Sequence, residues 1–436
     1  MIFIINRCLE KKVSLSFEKE VITIKDFKDS KNSKFLFFPL LDATAQKKEL
    51  GDEILRGELL ISTKKPYQKV FSPCSGKVVE VKKMFCPKEN KEIDHLVIEN
   101  NFQNKGSSQV FKPLDYEQSS PAIMLKRIEE AGIVGMGGGL YPTFLKYQDH
   151  RKIKEIIVNA VECEPFLEKD ENVLKNKLYE VIIGTRILLK VANASQATIA
   201  IKKSTKNKKM ISFLKLFLQN DQKIKLKVLK NQYPMGWERI LVQKISKKHY
   251  KKYPIEVGIV VNNVETVSEV ASAVTEGKVK LEKKVKILIE KTKEKFDFET
   301  YYGTNILEII DSIEHLKGEQ ASVLIGNPMS SKGLINFETP ILQNCSRILI
   351  LEKREYKTSP CLRCGSCFKR CPSRLHPIEI MEAFKRKEIS SLEDLKIEDC
   401  CECGICSFVC PSKIEILDSI IKAKKYRNLI GKRARG

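Results

Sequence analysis

Eight cysteines fall into two runs with one spacing. Residues 361–372 read CLRCGSCFKRCP and residues 400–411 read CCECGICSFVCP, so Cys361, Cys364, Cys367 and Cys371, then Cys400, Cys403, Cys406 and Cys410, each spell C-x2-C-x2-C-x3-C-P. That spacing predicts two [4Fe–4S] cubanes: three thiolates on a tight loop grip one cubane, and the fourth, before proline, turns away to the other. Cys361, Cys364, Cys367 and Cys410 are therefore assigned to one cluster, and Cys400, Cys403, Cys406 and Cys371 to the other. Gly365 and Gly404 let each loop bend close to the inorganic sulfur. The competing reading is a pair of zinc sites, but zinc takes four ligands in all, whereas two full sets of four are each closed by Cys-Pro here.

Nine of the 14 cysteines lie between Cys361 and Cys410. With no secretion signal at MIFIINRCLEKK, such clustering reads as thiolate ligands in a reducing compartment rather than disulfides. Cys401 is extra to its motif and reads as a bystander. Cys8, Cys74, Cys86, Cys163 and Cys345 are isolated and read as small core residues. His376, in the linker between the motifs, reads as a solvent-facing loop residue, and Pro377 as the start of a short amphipathic helix.

A second group of residues is polar and lies upstream. GIVGMGGGLYPT carries Gly135, Gly137, Gly138 and Gly139; three further segments are Asn159-x-x-Glu162-x-Glu164-Pro165, Tyr233-Pro234-x-Gly236-x-Glu238 and Asn262-Asn263-Val264-Glu265-Thr266. Loop N–H groups can cradle a phosphate, asparagine and threonine can bond a flavin's ribityl and ring edges, and Glu162 and Glu164 can take ribose hydroxyls. A glycine loop alone is more often only a turn.

These segments need an edge on which to meet. Between about Ser120 and Ser272 helix and strand patterns alternate: a helix from Ser120-Pro121 to Ala131, a strand KIKEIIVNAV, a long helix to about Val191, then ATIAI, MISFLKLFL, IKLKVLK, WERILVQKIS and IEVGIVV. That alternation predicts a parallel sheet covered by helices, whose ligands bind beyond the carboxyl ends of the strands. NAVECEP and NNVET both fall at that edge.

The chain has 436 residues, too many for one core, and 42% of them are hydrophobic, ordinary for a folded protein. No run of 18 apolar residues suggests a membrane span. Lysine and arginine outnumber acidic residues 78 to 55, a net charge of +23. That excess favours anionic membrane faces or acidic proteins; the lysines are spread along the chain, so nucleic acid is not expected, and a lysine-rich proteome would give the same balance.

GIVGMGGGLYPTFLK, NAVECEPFLEKD, YPMGWE and NNVET, in this order ahead of two cluster motifs, resemble the C subunit of the Rnf ion-translocating electron-transport complex. The middle region is similar to the flavoprotein subunit of respiratory complex I. GDEILRGELLIS and SPCSGKVVEV resemble the barrel-sandwich domains of lipoyl and biotinyl carriers, without their modified lysine, and the GTNILEIIDSI region resembles a β-grasp domain. The resemblance implies a multidomain α/β and α+β chain: a barrel-sandwich β domain over 1–115, a Rossmann-like α/β domain for FMN and NADH over 116–280, a small β-grasp domain over 281–345, and a two-cluster ferredoxin-like domain with a basic tail over 350–436.

By the same resemblance, Gly137, Gly138, Gly139, Lys146, Asn159, Glu162, Asn262, Asn263 and Thr266 would contact FMN, and Glu164 would serve the nicotinamide nucleotide as the catalytic carboxylate. A surface ion pair is the plainer role for Lys146 and Glu164. The implied function is that of a peripheral subunit, on the cytoplasmic face of the inner membrane, of a ferredoxin:NAD+ oxidoreductase that couples electron flow to ion translocation. NAD(H), another iron–sulfur subunit and integral membrane subunits would be its partners. Lys202 and Lys203 stand where the family carries an acidic pair, which keeps open a docking or electron-wire subunit that has lost nucleotide binding. A cobalamin reductase shares the flavin and cluster modules, but it typically begins near the glycine loop, unlike this chain.

Overall fold

A computed structural model describes residues 30–433 except 43–45, 65–66, 87–88, 90, 150–151, 164–168, 205–206, 314–320, 327–328, 330–332, 335–336 and 353–356. Two antiparallel sheets come first. One joins β1 (Phe35–Pro39), β7 (Lys91–Asn100), β6 (Gly76–Cys86) and β3 (Glu53–Ile54) in that order; the other joins β2 (Gln46–Lys47), β4 (Leu59–Lys64) and β5 (Tyr67–Phe71). Leu36, Phe38, Leu60, Ile61, Val78, Leu96 and Ile98 form their shared core, which Tyr301 and Tyr302 enter from further along the chain.

The middle region holds the expected parallel sheet, in the order β10 (Ile224–Leu229), β9 (Gln196–Lys202), β8 (Glu155–Ala160) and β11 (Ile259–Asn263), every neighbouring pair parallel. Successive side chains on a strand point to opposite faces, and both faces are covered. Ile156, Val158, Ile199 and Ile201 pack with Val181, Leu188, Val264 and Val267 on one side. Ile157, Ala200, Ile259 and Val261 pack with Ile240 and Leu241 on the other. Ser120 caps the helix Pro121–Glu130 by accepting from Ile123 N–H.

Two elements differ from the sequence reading. The long helix ending near Val191 is two helices, Lys169–Asn176 and Leu178–Ala192, broken at Lys177, whose φ of −132° and ψ of 35° are not helical. The final strand begins at Ile259 because Pro254–Val257 forms a short 3₁₀ turn closed by Gly258 at φ +77°.

A mixed sheet follows, β13 (Lys295–Tyr301), β12 (Glu282–Ile289), β15 (Arg347–Glu352) and β14 (Ala321–Ile325), with helix Ile306–Asp311 packed on it through Ile306, Ile309 and Ile310. The C-terminal region is helical. Pro377–Lys385, starting at Pro377 as expected, Ile389–Asp394 and Ile416–Arg433 enclose a core in which Cys406 and Cys410 sit among Ile380, Leu392 and Ile420. Among the described residues no helix is long and apolar enough to cross a membrane.

Candidate functional site

Parallel pairing brings the carboxyl ends of β8 and β11 together, with Asn159 directly opposite Asn263. Over that edge lies the glycine loop. Its base is closed by Gly135 N–H to Tyr141 O at 2.8 Å and Thr143 N–H to Ile133 O at 2.9 Å. Its tip is held at Met136, whose N–H donates to Thr266 Oγ1 at 2.9 Å and whose carbonyl accepts from Lys169 Nζ at 2.9 Å, and at Gly138, whose carbonyl accepts from Asn344 Nδ2 at 3.3 Å. Gly137 rests on Asn263, where an added Cβ would come within 3.3 Å of the asparagine Cβ, whereas a Cβ on Gly138 or Gly139 would meet nothing within 4 Å. The N–H groups of Gly137, Gly138 and Gly139 donate to no acceptor among the described residues. Three undonated N–H groups in an open loop make an anion cradle.

The asparagines divide between structure and ligand. Asn159 already braces the edge: Nδ2 donates to Gly236 O at 2.8 Å and Oδ1 accepts from Val161 N–H at 3.0 Å. Asn263 braces it too, bonding Asp170 through Nδ2 at 3.0 Å and capping helix Val264–Ala271 by accepting from Glu265 N–H. Asn262 differs. It is 1% exposed, its Nδ2 bonds the Tyr147 hydroxyl, and its Oδ1 has no partner among the described residues. A buried carbonyl left without a donor costs about 1–3 kcal/mol, so this atom fits a ligand N–H or O–H. Lys146 donates to Val261 O at 2.7 Å, and burial, opposed by Glu238, holds its ammonium below the ordinary lysine range. Glu162 is buried, with Asp170 N–H near its Oε2 at 3.5 Å. Glu164 lies outside the described residues.

Of the two lysines that replace the acidic pair, Lys202 pairs its ammonium with the buried Glu171 carboxylate at 3.1 Å, whereas Lys203 is exposed. A larger ionic group escaped the sequence reading. Glu265, inside the NNVET segment, takes Lys169, Lys280 and Lys283, and Glu269 takes Lys280 and Lys177. Burial alone would raise the Glu265 carboxyl; the three ammonium groups outweigh it and hold it well below the usual range. Lys283, fully enclosed, is pushed by burial down to about 7, against the pull of Glu265. Since Lys169 also holds the Met136 carbonyl, the group fixes the glycine loop to the helix start. The signal was present in the sequence, as Glu265 and Glu269 at i, i+4, but their lysines come from positions 169 to 283.

Gly236 explains how YPMGWE reaches this edge. A Cβ there would lie 2.2 Å from Val161 O, and Gly236 N–H donates to Cys163 Sγ at 3.1 Å. Beside it Tyr233, joined to Pro234 by a cis peptide bond, donates from its hydroxyl to the carbonyl of Cys403 at 2.6 Å. Cys401 packs with Trp237 against the sheet-face core of the middle region, and Arg239 reaches Asp399 at 3.3 Å. The second cysteine motif thus lies directly on the segment that flanks the glycine-loop edge.

Cys371, Cys400, Cys403 and Cys406 line one pocket, together with Cys401, Gly404, Leu417 and Ile420. Burial pushes the Cys406 thiol up to about 12 and the Cys400 thiol up to about 11. Such thiols bind as thiolates only when iron's positive charge offsets that cost. Cys367 and Cys410 pack in the same core, while Cys361 and Cys364 are exposed. The two ends of this set are tied by Ser359 N–H to Ser412 O at 3.1 Å and Ser412 Oγ to Pro360 O at 2.8 Å. Donor type and number suit two cubanes. Cys74, Cys86 and Cys345 are buried, whereas Cys8 lies outside the described residues.

Comparison with known proteins agrees with this layout. The family described as the Nuo51 FMN-binding domain matches residues 128–272, and that described as a 4Fe-4S dicluster domain matches residues 360–415. The C subunit of the "Ion-translocating oxidoreductase complex" of Buchnera aphidicola is 29% identical over 347 residues, 78% of this chain and 72% of that protein. The C subunit of the "Proton-translocating ferredoxin:NAD(+) oxidoreductase complex" of Clostridium ljungdahlii is 30% identical over 335 residues, 75% of this chain and 72% of that protein. The corresponding C subunit of Rhodobacter capsulatus is 28% identical over 76% of this chain and 65% of its own length. Carrying an FMN-binding domain followed by a two-[4Fe–4S] domain, the chain belongs to the C-subunit family of Rnf-type ion-translocating oxidoreductase complexes, as an electron-transfer subunit.

Proposed function

We propose that this chain exchanges electrons between NAD(H) and the one-electron carriers of a ferredoxin:NAD+ oxidoreductase complex, docked peripherally on the cytoplasmic face of the membrane. The observation that carries the reading is the hydrogen bond from Tyr233 to the Cys403 carbonyl, which joins the glycine-loop edge to the second cysteine loop. FMN bound at that edge supplies the exchange between two-electron hydride and one-electron chemistry. The N–H groups of Gly137, Gly138 and Gly139 take its phosphate, and Asn262 Oδ1 takes a polar edge of the ribityl chain or ring. Thr266, Lys146, Asn159 and Asn263 hold the loop and strand ends through the bonds described above, and their remaining donors and lone pairs contact FMN. Glu162 lies at the same strand end, and Glu164 is assigned to the nicotinamide nucleotide. Cys400, Cys403, Cys406 and Cys371 hold the inner cluster; Cys361, Cys364, Cys367 and Cys410 hold the outer one.

The proposed domain plan is a barrel-sandwich domain over 1–115, a Rossmann-like domain over 116–280, a β-grasp domain over 281–345 and a ferredoxin-like domain over 350–436. The two antiparallel sheets around one core and the mixed sheet with its packed helix support it. The Lys202–Glu171 pair weighs against lost nucleotide binding, because it neutralises one of the two lysines on which that alternative rested.

Anaerobically purified chain, supplied with flavin, tests the reading. Acid should release one FMN, analysis should find about eight irons and eight sulfides, and NADH should bleach the flavin and cluster absorbance. Release of no flavin, or bleaching by dithionite but not by NADH, would sink it.

A further inference from the structure

The two cysteine motifs are offset by 39 positions, from Cys361 to Cys400, so their residues can be matched one to one. Cys401, between the first two ligands of the second loop, packs on the middle-region core. Its counterpart in the first loop is Leu362, which is 67% exposed. The second loop therefore spends this position on an interface with the flavin-binding domain, and the first leaves the matching position bare. Beside it Cys361 and Cys364 are themselves exposed, and Phe368, 43% exposed, stacks on His376 at 4.3 Å.

Charge separates the two loops in the same sense. Residues 396–415 carry Glu398, Asp399, Glu402 and Glu415 against two lysines, and three of the acids are paired within the chain: Glu398 with Arg427, Asp399 with Arg239, Glu402 with Lys424. The matching window, 357–376, carries Lys357, Arg363, Lys369, Arg370 and Arg374 and no acidic residue. All five are exposed, and none has an ion-pair partner among the described residues. An apolar centre in an unpaired basic rim is the surface of an electrostatically steered contact.

We propose that the Leu362 face of the first cysteine loop is the chain's electron port, and that its partner is a protein presenting acidic groups around a one-electron redox centre. This rests on the two-cluster reading above and gives it a direction in space: the second loop faces inward to the flavin edge, the first outward. Transfer falls steeply with distance, so exchange occurs where the ligating thiols are least covered. One electron crosses per encounter, oxidising one centre and reducing the other, with no bond made or broken. A bare anionic membrane would satisfy the basic rim but would neither need the exposed thiols nor fill the position matched to an internal protein contact.

The test uses intact chain carrying R363E, K369E and R370E together, and separately Leu362→Ser. Iron content and NADH bleaching show that each variant is folded and loaded. Binding is read by sedimentation with membranes that hold the remaining subunits but lack this chain, and with protein-free phosphatidylglycerol vesicles. The charge reversal should weaken binding to the subunit-bearing membranes about tenfold or more and flatten its salt dependence, and Leu362→Ser should weaken it at all salt concentrations. Binding to those membranes by both variants as tightly as by the parent overturns the port, as does a loss confined to the vesicles. Failure of the parent to bleach with NADH counts against the proposed function alone, because the binding comparison still reads the port.

Discussion

The two cysteine loops share a spacing and almost nothing else. Cys403, Cys406 and Cys410 are buried, and the second loop is sealed against the rest of the chain by Tyr233, Arg239 and Cys401. The first loop leaves Cys361 and Cys364 in solvent. Gly365 and Gly404 hold the same left-handed conformation, at φ +69° and +80°, yet a Cβ on Gly365 would meet open space whereas one on Gly404 would lie 1.8 Å from the Met329 carbonyl oxygen. Identical spacing thus sits in different surroundings. The spacing sets the chemistry of the metal, and the neighbours set who may exchange electrons with it.

The glycines offer the sharpest way to break the comparison. Gly365→Ala meets only the backbone penalty of a left-handed residue, about 1–2 kcal/mol. Gly404→Ala adds a clash with the Met329 carbonyl oxygen, for about 2–5 kcal/mol together, and should open the contact between the second cysteine loop and Met329. Thermal unfolding of both holo variants reads this; equal shifts would mean that the second loop is not closely seated.

Removal of iron gives the next largest contrast. After anaerobic chelation and brief iodoacetamide treatment, peptide mass analysis should find Cys361 and Cys364 alkylated roughly tenfold or more faster than Cys403 and Cys406, since only the former meet reagent without local opening. Uniform labelling would show that the buried loop owes its seat to the cluster alone.

Tyr233→Phe keeps the ring and removes one hydrogen bond across the domain contact, so it should cost about 0.5–1.5 kcal/mol without changing iron or flavin content. A loss of cluster iron would instead give Tyr233 a part in holding the ligand loop. The smallest effect belongs to the matched pair itself. Leu362→Ala, at an exposed position, should move stability by within about 0.5 kcal/mol. Cys401→Ala, which removes a packed thiol, should cost about 1 kcal/mol and leave about eight irons in place. Iron loss in the Cys401 variant would make it a ligand.

Local rules carried the sequence far. Cluster type follows from C-x2-C-x2-C-x3-C-P, because tight-loop ligation depends on short spacing. The parallel sheet followed from alternating strand and helix patterns, and the helix starts at Pro121 and Pro377 from proline's fixed φ. The motif quartet identified the edge. What a residue does on that edge was not legible: Asn159 and Asn262 are alike in sequence, yet the carbonyl of one accepts from Val161 N–H and that of the other has no partner among the described residues.

The sequence by itself determined the metal chemistry, the parallel sheet and the strand-end segments, all of which depend on residues near one another along the chain. Tertiary structure alone decided that Lys202 is neutralised by Glu171, that Glu265 gathers lysines from positions 169, 280 and 283, and that one cysteine loop faces the flavin edge while its twin faces solvent. The reason is physical. Burial and charge pairing depend on distance in space, and here the deciding partners stand from 15 to 170 positions away in the chain.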